Sequence, residues 1–206
     1  MYVTDKIKNL EWKLYRERKR RALKNDHFSI ISSNCSGTVI YSDLHLPYTS
    51  PTVNLSIGMN DFVKMVKNLR WYMEQEFTQI ESKEKYPVGL LGGVQVNFIH
   101  YKTFEEAVQK WEERKKRINW DDLFIIGTDK DGCTLETIRD FERLPYKNKV
   151  IFTHVEYPEF PSSYYIKGFE KEEELGVIIY FRDRFLKRRY LDDFDYVRFL
   201  NGSDDC

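Results

Sequence analysis

Three short apolar runs, separated by segments with helical periodicity, constrain the fold of this chain more than any other feature. The first run, residues 27–32, is rich in β-forming residues and is closed by a turn. Residues 123–127 and 149–154 form two further apolar runs of the kind seen in parallel strands that are buried on both faces. Strands that alternate with helices build right-handed βαβ units. We therefore predict an α/β fold in three layers, with a mainly parallel sheet between flanking helices and an additional basic helix at the N-terminus.

Amphipathic periodicity predicts the helices around this sheet. Asn60 is a plausible N-cap for one of them, and Thr103 with Glu106 forms a capping box for the next. Gly37 allows the chain to turn into a short helix after the first strand. The longer helices are expected over residues 4–24, 60–76 and 104–118 and after Thr134.

Two further regions are predicted to be extended. Residues 86–91 and 94–99 flank Gly92 and Gly93, a pair that suits a hairpin turn. Residues 177–181 are apolar and β-branched, so we expect one more strand there, at the edge of the sheet.

The composition indicates one soluble domain in a reducing compartment. A length of 206 residues suits a single domain, and 16% aromatic residues can build a large core. We expect a basic helix over residues 1–25 and a single α/β domain over residues 26–206. The three cysteines, Cys35, Cys133 and Cys206, form no CxxC pair, and no segment approaches the about 20 apolar residues of a membrane helix. These features predict a cytoplasmic protein.

Charge is balanced over the whole chain but uneven along it. With 33 basic and 33 acidic residues, the chain has no net field that would hold nucleic acid. Residues 1–25, however, contain nine basic and three acidic residues beside an apolar stripe. A solvated helix face is one interpretation. Peripheral contact with anionic lipid head groups or with an acidic partner is the other.

The polar residues that follow three of the predicted strands form the candidate catalytic site. Ligands of open parallel sheets bind beyond the carboxyl ends of the strands, and those ends carry Cys35, Asp129 and His154. A thiol, an imidazole and a carboxylate are the nucleophile, base and orienting acid of an activated nucleophile. The helix that begins after Cys35 is expected to lower the pKa of its thiol. The structural alternatives are a buried cysteine, a histidine that bonds to a loop and an aspartate that forms a turn.

Metal and nucleotide motifs are not evident. Asp129 and Asp131 suggest a calcium loop only superficially, because the downstream ligands are missing, and four scattered histidines do not predict a zinc site. Residues 33–37 contain too little glycine for a phosphate-binding loop, although backbone N–H groups and Asn34 can form an oxyanion nest. For His100 we expect a core or capping role. No metal site is predicted.

Several strings along the chain, taken together, are similar to one protein family. They are NCSG at 34–37, YTSPTVNL at 48–55, DF at 61–62, YPVG at 86–89, HY at 100–101, KWEER at 110–114, LPYKNK at 144–149 and FTH at 152–154. These strings resemble the DUF1919 family, bacterial proteins that are often encoded among exopolysaccharide or capsule genes. The resemblance covers about residues 28–201 and leaves the basic helix outside it. It implies an α/β fold and a role in exopolysaccharide biosynthesis.

The residues and the resemblance lead us to expect a transferase of surface-polysaccharide biosynthesis. Capsule acetyltransferases that bind coenzyme A display an Asn-Cys pair after their first strand, and Asn34-Cys35 matches that pair alone. The expected reaction moves an acyl group from a coenzyme A thioester to the hydroxyl of a sugar or glycan acceptor. The substrate is expected to meet an oxyanion nest, a sugar pocket and phosphate-binding lysines, formed by Asn34, Ser36, Gly37, Ser50, Thr52, Lys130 and Lys147.

Two other functions compete with this expectation. The first is a glycosyltransferase-like enzyme in which Asp129 and Asp131 hold a divalent metal beside the diphosphate of a nucleotide sugar. The second is a non-enzymatic scaffold of polysaccharide assembly that binds its partners through residues 1–25. The first requires a metal cluster at the strand ends, and the second requires an accessible basic helix.

Overall fold

The computed structural model describes residues 2–183 and 188–202, with side chains from residue 9 onward except that of Asp183. Its helices are α1 (Tyr2–Ala22), α2 (Ser36–Asp43), α3 (Met59–Lys67), α4 (Leu69–Met73), α5 (Phe104–Lys115), α6 (Leu135–Glu142) and α7 (Tyr196–Leu200). Its strands are β1 (Ser29–Ser32), β2 (Phe77–Ile80), β3 (Val88–Leu91), β4 (Val94–Asn97), β5 (Leu123–Thr128), β6 (Asn148–Thr153), β7 (Ser163–Tyr165), β8 (Phe181–Asp183) and β9 (Arg188–Arg189). A short 3-10 helix spans Tyr190–Asp193.

The central sheet has the strand order β1-β5-β6-β7, and every pair in it is parallel. Successive residues of each strand face opposite core clusters, as a strand buried on both sides requires. Ile31 and Ile125 join the cluster that contains α3, α4, α5 and α6. Ile30 and Phe124 join the cluster that contains α2 and α7. The predicted three-layer α/β fold is therefore confirmed.

A second sheet, antiparallel with the order β2-β3-β4, packs on the first of these clusters. The predicted hairpin is present, and Gly92 and Gly93 turn it with positive φ angles of 56° and 81°. Strand β2 was not predicted from the sequence, because it has only four residues and its two central ones, Thr78 and Gln79, are polar and exposed.

The predicted edge strand at residues 177–181 is wrong. Ser163–Tyr165 supplies the edge of the central sheet as β7, and residues 177–180 form a turn that leads into the small β8-β9 ribbon. The apolar character of this turn has another cause, because Ile178 packs into the core while Val177 and Tyr180 are exposed.

The predicted helix over residues 60–76 is two helices, α3 and α4, that are interrupted at Asn68. Its N-cap is Gly58 and not Asn60. The Asn60 side chain instead bonds to the Thr137 hydroxyl and the Gly132 carbonyl, which ties α3 to the start of α6.

Helix α1 matches its prediction and packs on the body of the protein through its charged face. Arg16 pairs with Asp43 at 3.4 Å, and Lys19 pairs with Asp192 at 4.0 Å. No helix in the described part of the chain is long and apolar enough to cross a bilayer.

Candidate functional site

The carboxyl ends of β1, β5 and β6 lie side by side, because these strands are neighbours in the sheet. Two side-chain contacts join them. Asn34, after β1, donates through Nδ2 to Thr128 Oγ1 at the end of β5, at 3.0 Å. Asp129, after β5, contacts His154, after β6. The polar loops that were singled out in the sequence thus form one continuous rim.

The closest contact on this rim is between Asp129 and His154. His154 Nδ1 lies 2.5 Å from Asp129 Oδ2, and the backbone N–H of His154 donates to the same oxygen at 2.9 Å. The other oxygen, Oδ1, accepts from the Leu175 backbone N–H at 3.1 Å. With Nδ1 bound to the carboxylate, Nε2 is the ring nitrogen left for a substrate. This arrangement has the geometry of an oriented general base.

The carboxylate of Asp129 is 4% exposed, and its environment acts on its pKa in two directions. Burial raises the pKa and is the larger effect, while the hydrogen bonds from His154 and Leu175 oppose it, and the net shift is upward. Because three N–H donors surround the group, its negative charge is compensated locally. Such a carboxylate is placed to stabilise an imidazolium that forms on His154.

Cys35 is separate from this pair in its contacts. Its thiol is 7% exposed, and its Sγ lies 3.9 Å from the Leu55 carbonyl oxygen. Burial raises the pKa of the thiol to about 11, so the expected lowering by the α2 dipole is wrong. Desolvation of the thiolate outweighs the dipole here, and the thiol is protonated at neutral pH.

A cavity of about 350 Å³ lies at the carboxyl ends of β1 and β5, and neither Asp129 nor His154 is among the residues that line it. Asn34, Ser36, Thr128 and Lys130 contribute polar groups to its wall, and residues 176–180 form an apolar side. Asp129 lies between two of these lining residues in sequence, and its Oδ1 holds the amide of Leu175, directly before the apolar side. The buried carboxylate therefore fixes both His154 and one wall of the cavity.

Two residues of this cavity were not identified from the sequence. His100 is exposed and lines the cavity, so the expected core or capping role is wrong. Ser56 also lines it, held by backbone hydrogen bonds to Asn97 at the end of β4. Both are brought there by the second sheet, whose position no local sequence pattern reports.

The loop after β1 is held by its own side chains. Asn34 Oδ1 accepts from the backbone N–H of Ser36 at 3.0 Å and from its hydroxyl at 2.7 Å. The Gly37 amide donates to Ser32 Oγ at 3.4 Å, and a Cβ on Gly37 would come within 2.9 Å of the Ser32 Cβ. The expected oxyanion role of the Gly37 amide is therefore wrong, since the glycine serves close packing of α2 on β1.

Ser50 and Thr52 do not line a sugar pocket as predicted. Both side chains are buried, and Thr52 Oγ1 accepts from the backbone N–H of Ser32 at 2.9 Å. Tyr41 does the same for the N–H of Ile30 at 2.8 Å. These hydroxyls satisfy the outer edge of β1, with which no further strand of the described residues pairs.

The two predicted phosphate-binding lysines lie at opposite ends of the strands of the central sheet. Lys130 lines the cavity and pairs with Glu174 at 2.7 Å, which raises the pKa of the ammonium group. Lys147 directly precedes β6 and so lies where the strands begin, away from the carboxyl ends that carry Asp129 and His154. The assignment of Lys147 to the same ligand is wrong.

The metal expected for a nucleotide-sugar enzyme gains no support. Within residues 2–183 and 188–202, no three His, Cys, Asp or Glu side chains are grouped so that they could hold a metal ion. Asp129 uses both oxygens for N–H donors, and the Asp131 backbone bonds to Glu174.

Comparison with known proteins places the chain in a family. A family model described as a domain of unknown function, DUF1919, matches residues 6–201. The chain belongs to the DUF1919 family. The match takes in most of α1, which the resemblance had left outside. An uncharacterised protein of Haemophilus influenzae strain Rd is 44% identical over 184 residues, which is 89% of each chain. The DUF1919 region therefore includes the basic helix together with the whole rim.

Proposed function

We propose that this DUF1919 protein is an acyltransferase of surface-polysaccharide biosynthesis. It moves an acyl group from a coenzyme A thioester to the hydroxyl of a sugar or glycan acceptor. The observation that carries the proposal is the Asp129–His154 pair at the strand ends. Thr128 and Lys130, on either side of Asp129 in sequence, line a cavity with polar and apolar walls. An oriented imidazole is the group that activates a hydroxyl for acyl transfer.

The geometry favours direct transfer over a covalent enzyme intermediate. His154 Nε2 takes the proton of the acceptor hydroxyl while the hydroxyl oxygen attacks the thioester carbonyl carbon. The carbon–sulfur bond then breaks, and the coenzyme A sulfur leaves with the proton from His154. Asp129 stabilises the imidazolium between these steps. Cys35 acts as a wall of the cavity and not as the nucleophile, because its thiol is buried and protonated.

The cavity lining suits the two substrates in different ways. Its apolar side at residues 177–179 fits the thioester arm of the donor. Asn34 lines the cavity, and the second N–H of its Nδ2, the one not donated to Thr128, is available to the reacting carbonyl or to the sugar. Lys130 meets a donor phosphate when it exchanges Glu174 for that anion.

A cytoplasmic location with peripheral membrane contact is part of the proposal. The outer face of α1 exposes Leu10 and Leu14, 57% and 55% exposed, beside the exposed Lys13, Arg18 and Arg21. Two leucines among cations suit the head-group region of an anionic leaflet. Co-sedimentation with phosphatidylglycerol vesicles tests this contact, and equal sedimentation of the variant with Lys13, Arg18 and Arg21 changed to Gln would refute it.

The first experiment is thermal unfolding of the purified protein with coenzyme A, acetyl-CoA and nucleotide sugars, each with and without magnesium. A ligand at a hundredfold excess over its Kd stabilises the folded state by about 2.7 kcal/mol, so a true donor raises Tm visibly. We expect a shift with the coenzyme A series. A shift only with a nucleotide sugar and magnesium would support the glycosyltransferase-like alternative, and no shift with any donor would support the scaffold.

The second experiment measures thioester cleavage in the presence of sugar acceptors. His154→Gln should lower kcat by about 10²–10⁴, because it removes the general base and keeps a side chain of similar size. Asp129→Asn should lower it as well, since the amide cannot stabilise the imidazolium. His27→Gln is the matched control, because His27 is exposed and precedes β1, outside the rim that carries His154. Full activity of His154→Gln would overturn the mechanism. Loss of activity in Cys35→Ala, together with an acyl group trapped on Cys35 of the wild type, would restore the covalent mechanism.

A further inference from the structure

A second cavity, of about 440 Å³, lies at the opposite end of the central sheet, where strands β5 and β6 begin. Leu123, the first residue of β5, forms part of its wall, and Tyr146, two residues before β6, forms another part. The junction of α3 and α4 closes the remaining side. This cavity is therefore separate from the rim that carries Asp129 and His154.

Aromatic rings dominate this cavity, and they are held in place from behind. Trp71 is 49% exposed, and its indole packs edge-on against Tyr72 with ring centroids 4.8 Å apart. The Tyr146 hydroxyl donates to the Val66 carbonyl at 2.8 Å. A ring that is fixed before a ligand arrives loses little entropy when the ligand binds.

The charge of the cavity is positive and uncompensated. The Arg70 guanidinium lies 4.3 Å from the centre of the Trp120 ring, and Lys67 lines the same wall. None of the described residues that line the cavity is acidic. A guanidinium stacked on an indole keeps its edge free to bind an anion.

The helix break at Asn68 creates this wall. Asn68 has φ −129° and ψ 44°, outside the helical region, although the apolar spacing of residues 60–76 predicts one continuous helix. The break turns Lys67, Asn68 and Trp71 into the cavity together. Departures from locally favoured structure occur preferentially at functional sites.

We propose that this cavity binds an acidic saccharide. The apolar C–H face of a pyranose ring packs on the exposed face of Trp71, because C–H groups are attracted to the negative face of an aromatic ring. Arg70 and Lys67 bind the acid group, a carboxylate or a phosphate on the sugar. Arg70 occupies one face of Trp120, so a ligand meets a single free indole and two cations. This combination favours a charged sugar over a nucleobase, which gains more from stacking between two rings.

The proposal does not rest on acyl transfer at the carboxyl ends of the strands, and the experiment tests saccharide binding separately from acyl transfer. The protein is labelled with 5-fluorotryptophan, and its four tryptophans give four ¹⁹F signals that single Trp→Phe variants assign. The probes are trigalacturonate, the neutral trimer galactotriose, inorganic phosphate and UMP. We expect trigalacturonate to shift the signals of Trp71 and Trp120 and to leave that of the buried Trp111 unchanged.

Variants then identify the cation. Arg70→Gln should weaken trigalacturonate binding at least about tenfold, since it removes a charge-assisted contact. Arg143→Gln, at an exposed arginine of α6's C-terminus, is the control and should bind as the wild type does. His154→Gln should also bind trigalacturonate normally, because the proposed base lies at the carboxyl ends of the strands, away from this cavity.

Any one of four results would overturn the proposal. The first is that trigalacturonate leaves all four signals unmoved, and the second is that galactotriose binds as tightly as trigalacturonate, which would remove the role of charge. A stronger shift of Trp71 and Trp120 with UMP than with trigalacturonate would assign the cavity to nucleotides. Phosphate alone at equal affinity would show that the sugar ring contributes nothing.

Discussion

At the scale of single residues, Cys35 illustrates how burial decides chemistry. The thiol stands directly before α2, where a helix dipole favours a thiolate, yet its side chain is packed against the Leu55 carbonyl and largely buried. Taking a thiolate out of water costs more than the partial charge of one helix end returns. The pKa of about 11 follows from that balance.

This balance predicts slow alkylation of Cys35 at neutral pH. In a Cys133→Ser, Cys206→Ser background, Cys35 is the remaining thiol of the chain. Its rate of reaction with iodoacetamide should rise about tenfold per pH unit from pH 7 upward and level off near pH 11, because the thiolate is the reactive form. Mass spectrometry of the quenched protein measures the rate. A plateau already at pH 7 to 8 would mean an activated thiol and would favour the covalent mechanism.

At the scale of elements, β1 shows how an edge strand of the central sheet is closed without a partner strand. Side-chain hydroxyls take the place of backbone groups along its outer edge. Thr52, in the segment from Pro47 to Leu55, accepts the N–H of Ser32, and Tyr41 of α2 accepts the N–H of Ile30. An unpaired edge is a template for association with other chains, and these hydroxyls cover it.

Removal of one hydroxyl from this edge should cost stability. Thr52→Val keeps the shape of the side chain and leaves the buried N–H of Ser32 without its acceptor, so we expect a loss of about 1–3 kcal/mol in the free energy of unfolding. Urea unfolding measures it as a lower midpoint at an unchanged m-value. Thr78→Val, on an exposed position of β2, should stay within about 0.5 kcal/mol. Equal effects of the two variants would contradict the edge role of Thr52.

The elements that could be predicted are those whose pattern is local. The runs at β1, β5 and β6 and the spacing of α5 and α6 report their own burial, so their positions and the parallel sheet followed from the sequence. Strand β7 has three residues and an ordinary composition, and it exists because β6 offers an edge. The break at Asn68 likewise lies close to Tyr146, a residue far away in sequence whose hydroxyl donates to the Val66 carbonyl.

The predictions for the candidate site were also right where a local pattern placed the residue and wrong where its partner came from elsewhere in the fold. Asp129 and His154 were predicted to lie on one rim because both directly follow buried strands, and adjacent strands bring such positions together. Ser50 and Thr52 have the same residue types as a sugar pocket but serve an edge, and Lys147 stands at the wrong end of its strand. A residue type indicates what a side chain can bond to, whereas its partner depends on the tertiary structure.

At the scale of the whole molecule, a buried ionic cluster joins the two ends of the chain. Arg189 is 5% exposed and pairs with Asp43 of α2 and, at 2.9 Å, with Asp192. From α1, Arg16 reaches Asp43 and Lys19 reaches Asp192. The basic helix is therefore held by carboxylates that belong to the domain.

The cluster predicts a large and specific loss of stability in Arg189→Met. The substitution leaves the carboxylates of Asp43 and Asp192 buried beside fewer cations, and removing one partner of a buried ion pair costs about 3–5 kcal/mol. Arg188→Met, at the exposed neighbour, is the matched control and should change the free energy of unfolding by about 0.5 kcal/mol or less. Adding Asp43→Asn to Arg189→Met should restore part of the loss, because it neutralises one of the uncompensated charges. Urea unfolding of the wild type, Arg189→Met, Asp43→Asn and the double variant measures this coupling, and strictly additive effects would show that Arg189 and Asp43 do not act as a pair.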